Sequence, residues 1–150
     1  MISIRKAEVK DIKGILAIEN ECFISPWKES DLLYELTQNP INKFYVVEDK
    51  DIVGFLNFMI TFNSATISQI AITKEYRRKG LALKLMEKMF SDLPKAGDDV
   101  VEFVTLEVRK SNEAAIALYK KCGFEHIVDK KAYYPDGEDA VYMVKRLLCQ

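Results

Sequence analysis

Residues 65 to 108 read as strand, amphipathic helix, strand, and few folds accommodate that order. Residues 65–73 are β-rich. After Gly80, the positions Ala82, Leu85, Met86, Met89, Phe90 and Leu93 are apolar at helical spacing. Pro94 opens a loop, and residues 100–108 then form a nearly unbroken apolar strand, a pattern that suits burial on both faces. Two strands joined through a helix predict a parallel pair with a right-handed crossover.

The flanking segments predict antiparallel structure around that unit. Residues 2–6 alternate as a first strand. From residue 11 to 23, Ile12, Ile15, Leu16, Cys22 and Phe23 keep helical spacing, with Glu19 as the exception. Ser25-Pro26-Trp27 breaks this helix, and a second runs over residues 30–36 until Asn39-Pro40 ends it. Strands at 44–48 and 52–61 flank Asp49-Lys50-Asp51 as a hairpin, and a turn at Asn63-Ser64 leads into the strand at 65–73. Ser111 is placed to cap a last helix, with Glu113 in its first turn. That helix ends at Cys122-Gly123, where glycine supplies a left-handed residue and Phe124 closes an apolar contact. Final strands at 125–130 and 140–147 flank the polar loop 132–138. The order β-α-α-β-β-β-α-β-α-β-β predicts an α/β fold. It has a mixed, mostly antiparallel seven-stranded sheet, a central parallel βαβ crossover and four helices, in a single domain of 150 residues.

Composition excludes several functions. A formal net charge of −1 argues against a general nucleic-acid binder. The apolar runs are too short to span a bilayer and the N-terminus does not read as a signal peptide, so a cytoplasmic protein with no membrane partner is expected. Cys22, Cys122 and Cys149 have no CxxC spacing and are expected to be small buried thiols in a reducing compartment. With His126 as the only histidine, a histidine-based metal site or a Ser-His-Asp triad has little to build on, and no metal is expected.

Arg77-Arg78-Lys79-Gly80-Leu81-Ala82 lies between a strand and a helix, where free N–H groups and the positive end of the helix dipole meet. These six residues alone fit either a pyrophosphate cradle or a solvated basic turn. They match neither a Walker loop nor a dinucleotide fingerprint. In context, Arg-x-x-Gly-x-Ala after Ile70-Ala71-Ile72 resembles the Gln/Arg-x-x-Gly-x-Gly/Ala signature of the GNAT acetyltransferases. The resemblance continues through Leu106-Glu107-Val108-Arg109, Ser111-Asn112, Ala114 to Tyr119, and Gly123-Phe124. Ser25-Pro26-Trp27 and Tyr133-Tyr134-Pro135 make it closest to the subfamily that acetylates the N-terminal alanine of a ribosomal protein. It covers practically the whole chain.

The resemblance implies acetyl-CoA as acetyl donor, lying where the strands of Ile70-Ile72 and residues 105–108 splay apart. It implies that the backbone of Ile70, Ala71 and Ile72 pairs with the pantetheine arm. Arg77, the first residue of the matching signature, is implied to be cofactor-binding with them, and the backbone of Arg78, Lys79, Gly80, Leu81, Ala82 and Leu83 would hold the pyrophosphate. Glu107 shares a strand face with Phe103 and Thr105. Read from the residues, it is either a general base or the partner of Arg109 or a lysine, and the resemblance favours the base. Tyr119 reads as a core aromatic and Asn112 as a helix-start residue. The resemblance implies instead that Tyr119 protonates the CoA thiolate and that Asn112 bonds the cofactor. A phenol of pKa ~10 can protonate a thiolate whose thiol has pKa ~8.5. Trp27, Tyr133 and Tyr134 either wall a peptide groove or serve packing and loop anchoring.

An α-amine with pKa near ~7.7–8.0 is easier to deprotonate than a lysine near ~10.4, by roughly 3.4 kcal/mol. A modest base therefore suits a protein N-terminus. The resemblance implies the N-terminal alanine of ribosomal protein S18 as acceptor. The rival readings are a GNAT enzyme for another amine (a lysine side chain, polyamine or amino sugar) and a non-catalytic acyl-CoA-binding module.

Overall fold

The computed structural model describes residues 1–147. The strands are β1 (Ser3–Lys6), β2 (Asn42–Asp49), β3 (Asp51–Thr61), β4 (Ser64–Ile72), β5 (Phe103–Arg109), β6 (Glu125–Lys130) and β7 (Ala140–Arg146). The helices are α1 (Ile12–Cys22), α2 (Glu29–Thr37), α3 (Leu81–Asp92) and α4 (Glu113–Lys121). The strands form one seven-stranded sheet in the order β1-β2-β3-β4-β5-β7-β6, with β4 and β5 as its parallel pair. The expected order of elements therefore holds along the described chain. The residues fall into two compact parts, Met1–Met59 with Gln69–Asp92, and Ile60–Ser68 with the chain from Leu93 onward.

In the first part, α1 and α2 lay Ile12, Ile15, Ile18 and Leu32 against Phe44 and Phe55. Each fully buried side chain of this kind contributes about 1.5–3 kcal/mol. Of the expected stripe, Leu85, Met86, Met89 and Leu93 are buried, while Ala82 and Phe90 are half-buried and Leu81 takes a buried place at the start of α3. The β2–β3 hairpin turns at Lys50, whose φ is 68°. A Cβ at Gly54 would come within 2.5 Å of the Ile72 side chain and 3.0 Å of the Ala71 carbonyl. Only glycine lets β3 approach that end of β4 so closely.

In the second part, the parallel ladder runs from Ser64↔Phe103 to Ile67↔Leu106. On its other side β5 stays paired with β7 from Phe103↔Arg146 to Arg109↔Ala140. Two expectations about β5 need correction. First, β5 begins at Phe103, because the amide of Val101 bonds to Pro94 and those of Glu102 and Phe103 both bond to Asn63, which makes 100–102 a loop. Second, β5 is not buried on both faces: Val104, Leu106 and Val108 are buried, while Phe103, Thr105, Glu107 and Arg109 are half-buried. A face that carries a carboxylate and a guanidinium keeps charge partners rather than an apolar cover.

The cap of α4 is Asn112, whose side chain accepts from the Ala115 amide at 3.2 Å. Ser111, expected there, instead donates its amide to Glu138 at 2.9 Å. The helix ends as its sequence predicts. Gly123 has φ 97°, its amide bonds to Lys120 O at 3.0 Å, and the Phe124 amide bonds to Tyr119 O at 2.9 Å. The Phe124 ring meets Tyr119 edge-on at 5.8 Å. This Schellman closure with its apolar contact also fixes the Tyr119 ring.

Candidate active site

The loop between β4 and α3 holds the residues of the phosphate-loop reading. Arg78 and Gly80 have φ of 63° and 76°. Nothing lies within 4 Å of where a Gly80 Cβ would be, so glycine is needed there for conformation rather than for space. The Lys84 amide bonds to Gly80 O at 3.0 Å and so makes an early backbone bond of α3. The amides of Arg78 through Leu83 find no acceptor among the described residues. Successive open N–H groups at a helix start, with left-handed residues between them, suit a multivalent anion such as a pyrophosphate.

The Arg77 side chain, though half-exposed, is engaged by neighbouring groups of the chain. Its Nε donates to Ile72 O at 2.9 Å, and its Nη2 lies 3.3 Å from the Cys22 sulfur and 3.8 Å from Glu21. Glu21 in turn accepts the Thr73 hydroxyl and the Lys74 amide. Arg77 therefore ties the end of β4 to α1. Lys79 lies over the Tyr76 ring at 5.1 Å. Cys22 and Cys122 are half-buried rather than buried and are not joined in a disulfide; Cys149 lies outside the described residues.

Just before Ile70 lies a buried polar network. Glu19, the exception in the apolar stripe of α1, has 0% exposure. Its Oε1 accepts from the Trp27 amide at 3.0 Å and from Gln69 Nε2 at 3.0 Å. The Gln69 side-chain oxygen accepts from Asn57 Nδ2 at 3.0 Å. Glu19 Oε2 and Asn57 Oδ1 are buried with no partner among the described residues. Burial pushes the Glu19 carboxyl up, against the two hydrogen bonds that favour its charged form. Reading from sequence alone misses this residue as a participant, although a carboxylate inside a buried stripe was its signal. The network positions Trp27, whose ring packs half-buried against the α1–α2 core.

Glu107 lies on β5 opposite Tyr142 of β7. Its side chain is 19% exposed, and its Oε2 accepts from Lys130 Nζ at 2.7 Å. Of the two partners considered for it, the lysine is the one found. Arg109 is engaged elsewhere: Nη1 bonds to Asp136 and to Glu138, each at 2.9 Å. Its guanidinium also stacks on Tyr134 at 4.1 Å. The Gly137 amide bonds to Tyr134 O at 2.8 Å and closes the turn of the β6–β7 loop. Tyr133 meets Tyr134 edge-on at 5.1 Å. Loop anchoring is thus one role that Tyr134 has in the structure, while Tyr133 is 49% exposed. Burial pushes the Tyr134 phenol up to about 12.

Tyr119 is buried, and that burial pushes its phenol well above the ordinary value, with smaller contributions from Tyr134 and Cys122. Its hydroxyl has no hydrogen-bond partner among the described residues. Asn112 is exposed, and its oxygen serves the helix cap. Among the described residues no group of three or more His, Cys, Asp or Glu side chains is placed to hold a metal ion. No helix among them is long and apolar enough to cross a membrane.

Residues 12–124 match the model of the acetyltransferase (GNAT) family. The chain belongs to the GNAT acetyltransferase family. It is 36% identical over 143 residues to a putative ribosomal protein bS18-alanine N-acetyltransferase of Bacillus subtilis, covering 94% of this chain and 93% of that one. The crystal structure of the ribosomal-protein-S18-alanine N-acetyltransferase from Escherichia coli superposes with a TM-score of 0.86 at 32% identity, covering 97% of this chain and 94% of that one. Arabidopsis thaliana NAA60, crystallised with acetyl-CoA, superposes at 0.86 with 17% identity, covering 98% and 99%, and shares the fold. This GNAT chain is an acyltransferase whose relatives include ribosomal protein bS18-alanine N-acetyltransferases.

Proposed function

We propose that the chain transfers the acetyl group of acetyl-CoA to the α-amine of a protein N-terminus, with the N-terminal alanine of ribosomal protein S18 as the favoured acceptor. The observation that carries this reading is the likeness, over nearly the whole chain, to relatives named for that reaction. The open amides of Arg78 through Leu83 fit the pyrophosphate of CoA, and acetyl-CoA supplies the thioester that the amine attacks. The backbone of Ile70, Ala71 and Ile72 pairs with the pantetheine arm, and one of its amides polarises the thioester carbonyl. The Asn112 side-chain amide has donors left over from its capping bond to offer the cofactor.

In this reading the Glu107 carboxylate takes the proton from the attacking amine, directly or through a water. Tyr119 then returns a proton to the departing thiolate. Its phenol is held protonated by burial and its hydroxyl is committed to no other group. Trp27, Tyr133 and Tyr134 supply rigid aromatic surface to the peptide.

The test is CoA release, followed by thiol titration, with an alanine-starting S18 peptide offered free or N-blocked. Release with the free peptide alone supports the reading. Equal release with both moves the acceptor to a side-chain amine, and bound acetyl-CoA without release leaves a binding module.

A further inference from the structure

Lys130 is the side chain that the proposed reaction does not use, and it occupies the spot where that reaction needs room. Its Nζ lies 2.7 Å from Glu107 Oε2. The same ammonium sits 4.6 Å from the centre of the Tyr142 ring and 5.4 Å from that of Tyr133. A position bounded by a carboxylate and two aromatic rings is a site built for a cation. The other cation on this strand face, Arg109, is held by Asp136, Glu138 and Tyr134. Lys130 is therefore the cation of the Glu107 site.

At neutral pH most α-amines are ammonium ions, since their pKa is near ~7.7–8.0. An acceptor amine approaching Glu107 thus presents the same group that Lys130 has already placed there. We propose that Glu107, Tyr133 and Tyr142 form the receiving site for the acceptor's ammonium, and that Lys130 is an internal occupant which the acceptor displaces. This rests on the proposed function and deepens it. Lys130 sits at the end of an exposed edge strand and its side chain is 40% exposed. Its flexible four-carbon stem lets the ammonium swing into water. The exchange replaces one ammonium–carboxylate pair by another, so its net effect on affinity is small and its selectivity is for a cation. A neutral peptide end gains nothing from the site.

The experiment is calorimetric binding, in the presence of CoA, of two alanine-starting peptides of one sequence, one with a free α-amine and one N-acetylated. Wild type, Lys130→Gln and Lys130→Arg are compared, with melting temperatures to confirm folding. Removing the competitor should tighten the free-amine peptide about fivefold in Lys130→Gln, a factor equal to the ~1 kcal/mol of a half-exposed pair. The N-acetylated peptide should bind unchanged, and Lys130→Arg should behave like wild type. Equal shifts for both peptides would reveal a structural role, and unchanged or weaker binding of the free amine would overturn the proposal. Acetyl transfer by wild type is measured alongside. Its absence would defeat the proposed function, whereas transfer with unaltered binding in Lys130→Gln would defeat this inference alone.

Discussion

Glu19 and Glu107 each interrupt an apolar stretch, one on α1 and one on β5, and they meet opposite surroundings. Glu19 has no exposed surface, two donors on one oxygen, and an unpartnered second oxygen. Glu107 keeps 19% of its side chain exposed and holds a lysine ammonium. A carboxylate sealed among amides fixes three segments of chain at once: α1, the Trp27 turn and β4. Its protonation is governed by lost water, so it is suited to positioning rather than to proton traffic. A carboxylate at the surface of a sheet, paired with a cation that can leave, remains available for chemistry. Similar positions in an apolar pattern thus produce an architectural residue in one place and, in the proposed reading, a reactive one in the other.

The comparison can be broken at several points, and the largest effect is expected at Glu107. Glu107→Gln should slow acetyl transfer by about 10²–10³-fold, while stability changes by less than ~1 kcal/mol because the lost pair is partly exposed. A large fall in melting temperature with normal turnover would invert the assignment. Next is Glu19→Ala, which strands the Trp27 amide and the Gln69 side chain and should cost about 3 kcal/mol of stability by chemical denaturation.

Glu19→Gln sharpens the same point through pH. The folded value of Glu19 is raised, so the folded state holds that proton more tightly than the unfolded chain. The penalty is therefore present at neutral pH and vanishes as pH falls toward the ordinary 4.5. The stability difference between wild type and Glu19→Gln should then favour glutamine more at pH 7 than at pH 4.5. Asp11 provides the opposite sign. Arg5 donates to it at 2.8 and 2.9 Å and holds it below the ordinary 3.8, so its contribution is lost as pH falls through the folded value.

Tyr119→Phe should slow transfer about tenfold or more with stability nearly unchanged, because the hydroxyl has no partner among the described residues. The smallest effect is at Asn112, where alanine removes a cap and should cost about 1 kcal/mol.

Much of this was legible in the chain. The β4–α3–β5 crossover followed from two apolar strands around one amphipathic stripe, and the end of α4 followed from Gly123 and Phe124. Strand alternation alone placed Glu107 on a face with Phe103 and Thr105. Where the reading erred, the deciding partner was distant. Ser111 and Asn112 are both good caps, and Glu138, on the far side of the hairpin, claimed the Ser111 amide. Residues 100–102 are apolar enough for a strand, yet Pro94 and Asn63 hold them in a loop. The network of Glu19 joins residues from α1, β3 and β4 that no local pattern connects. Lys130 was one lysine among several until the β6–β7 pairing brought it to Glu107.

The most direct measurement of the central claim is fragment mass spectrometry on one peptide that carries both a free N-terminal alanine and an internal lysine, after incubation with the protein and acetyl-CoA. The account predicts one acetyl group, located on the α-amine. Acetyl on the lysine side chain, or none on a peptide exposed to protein that binds acetyl-CoA, would contradict it.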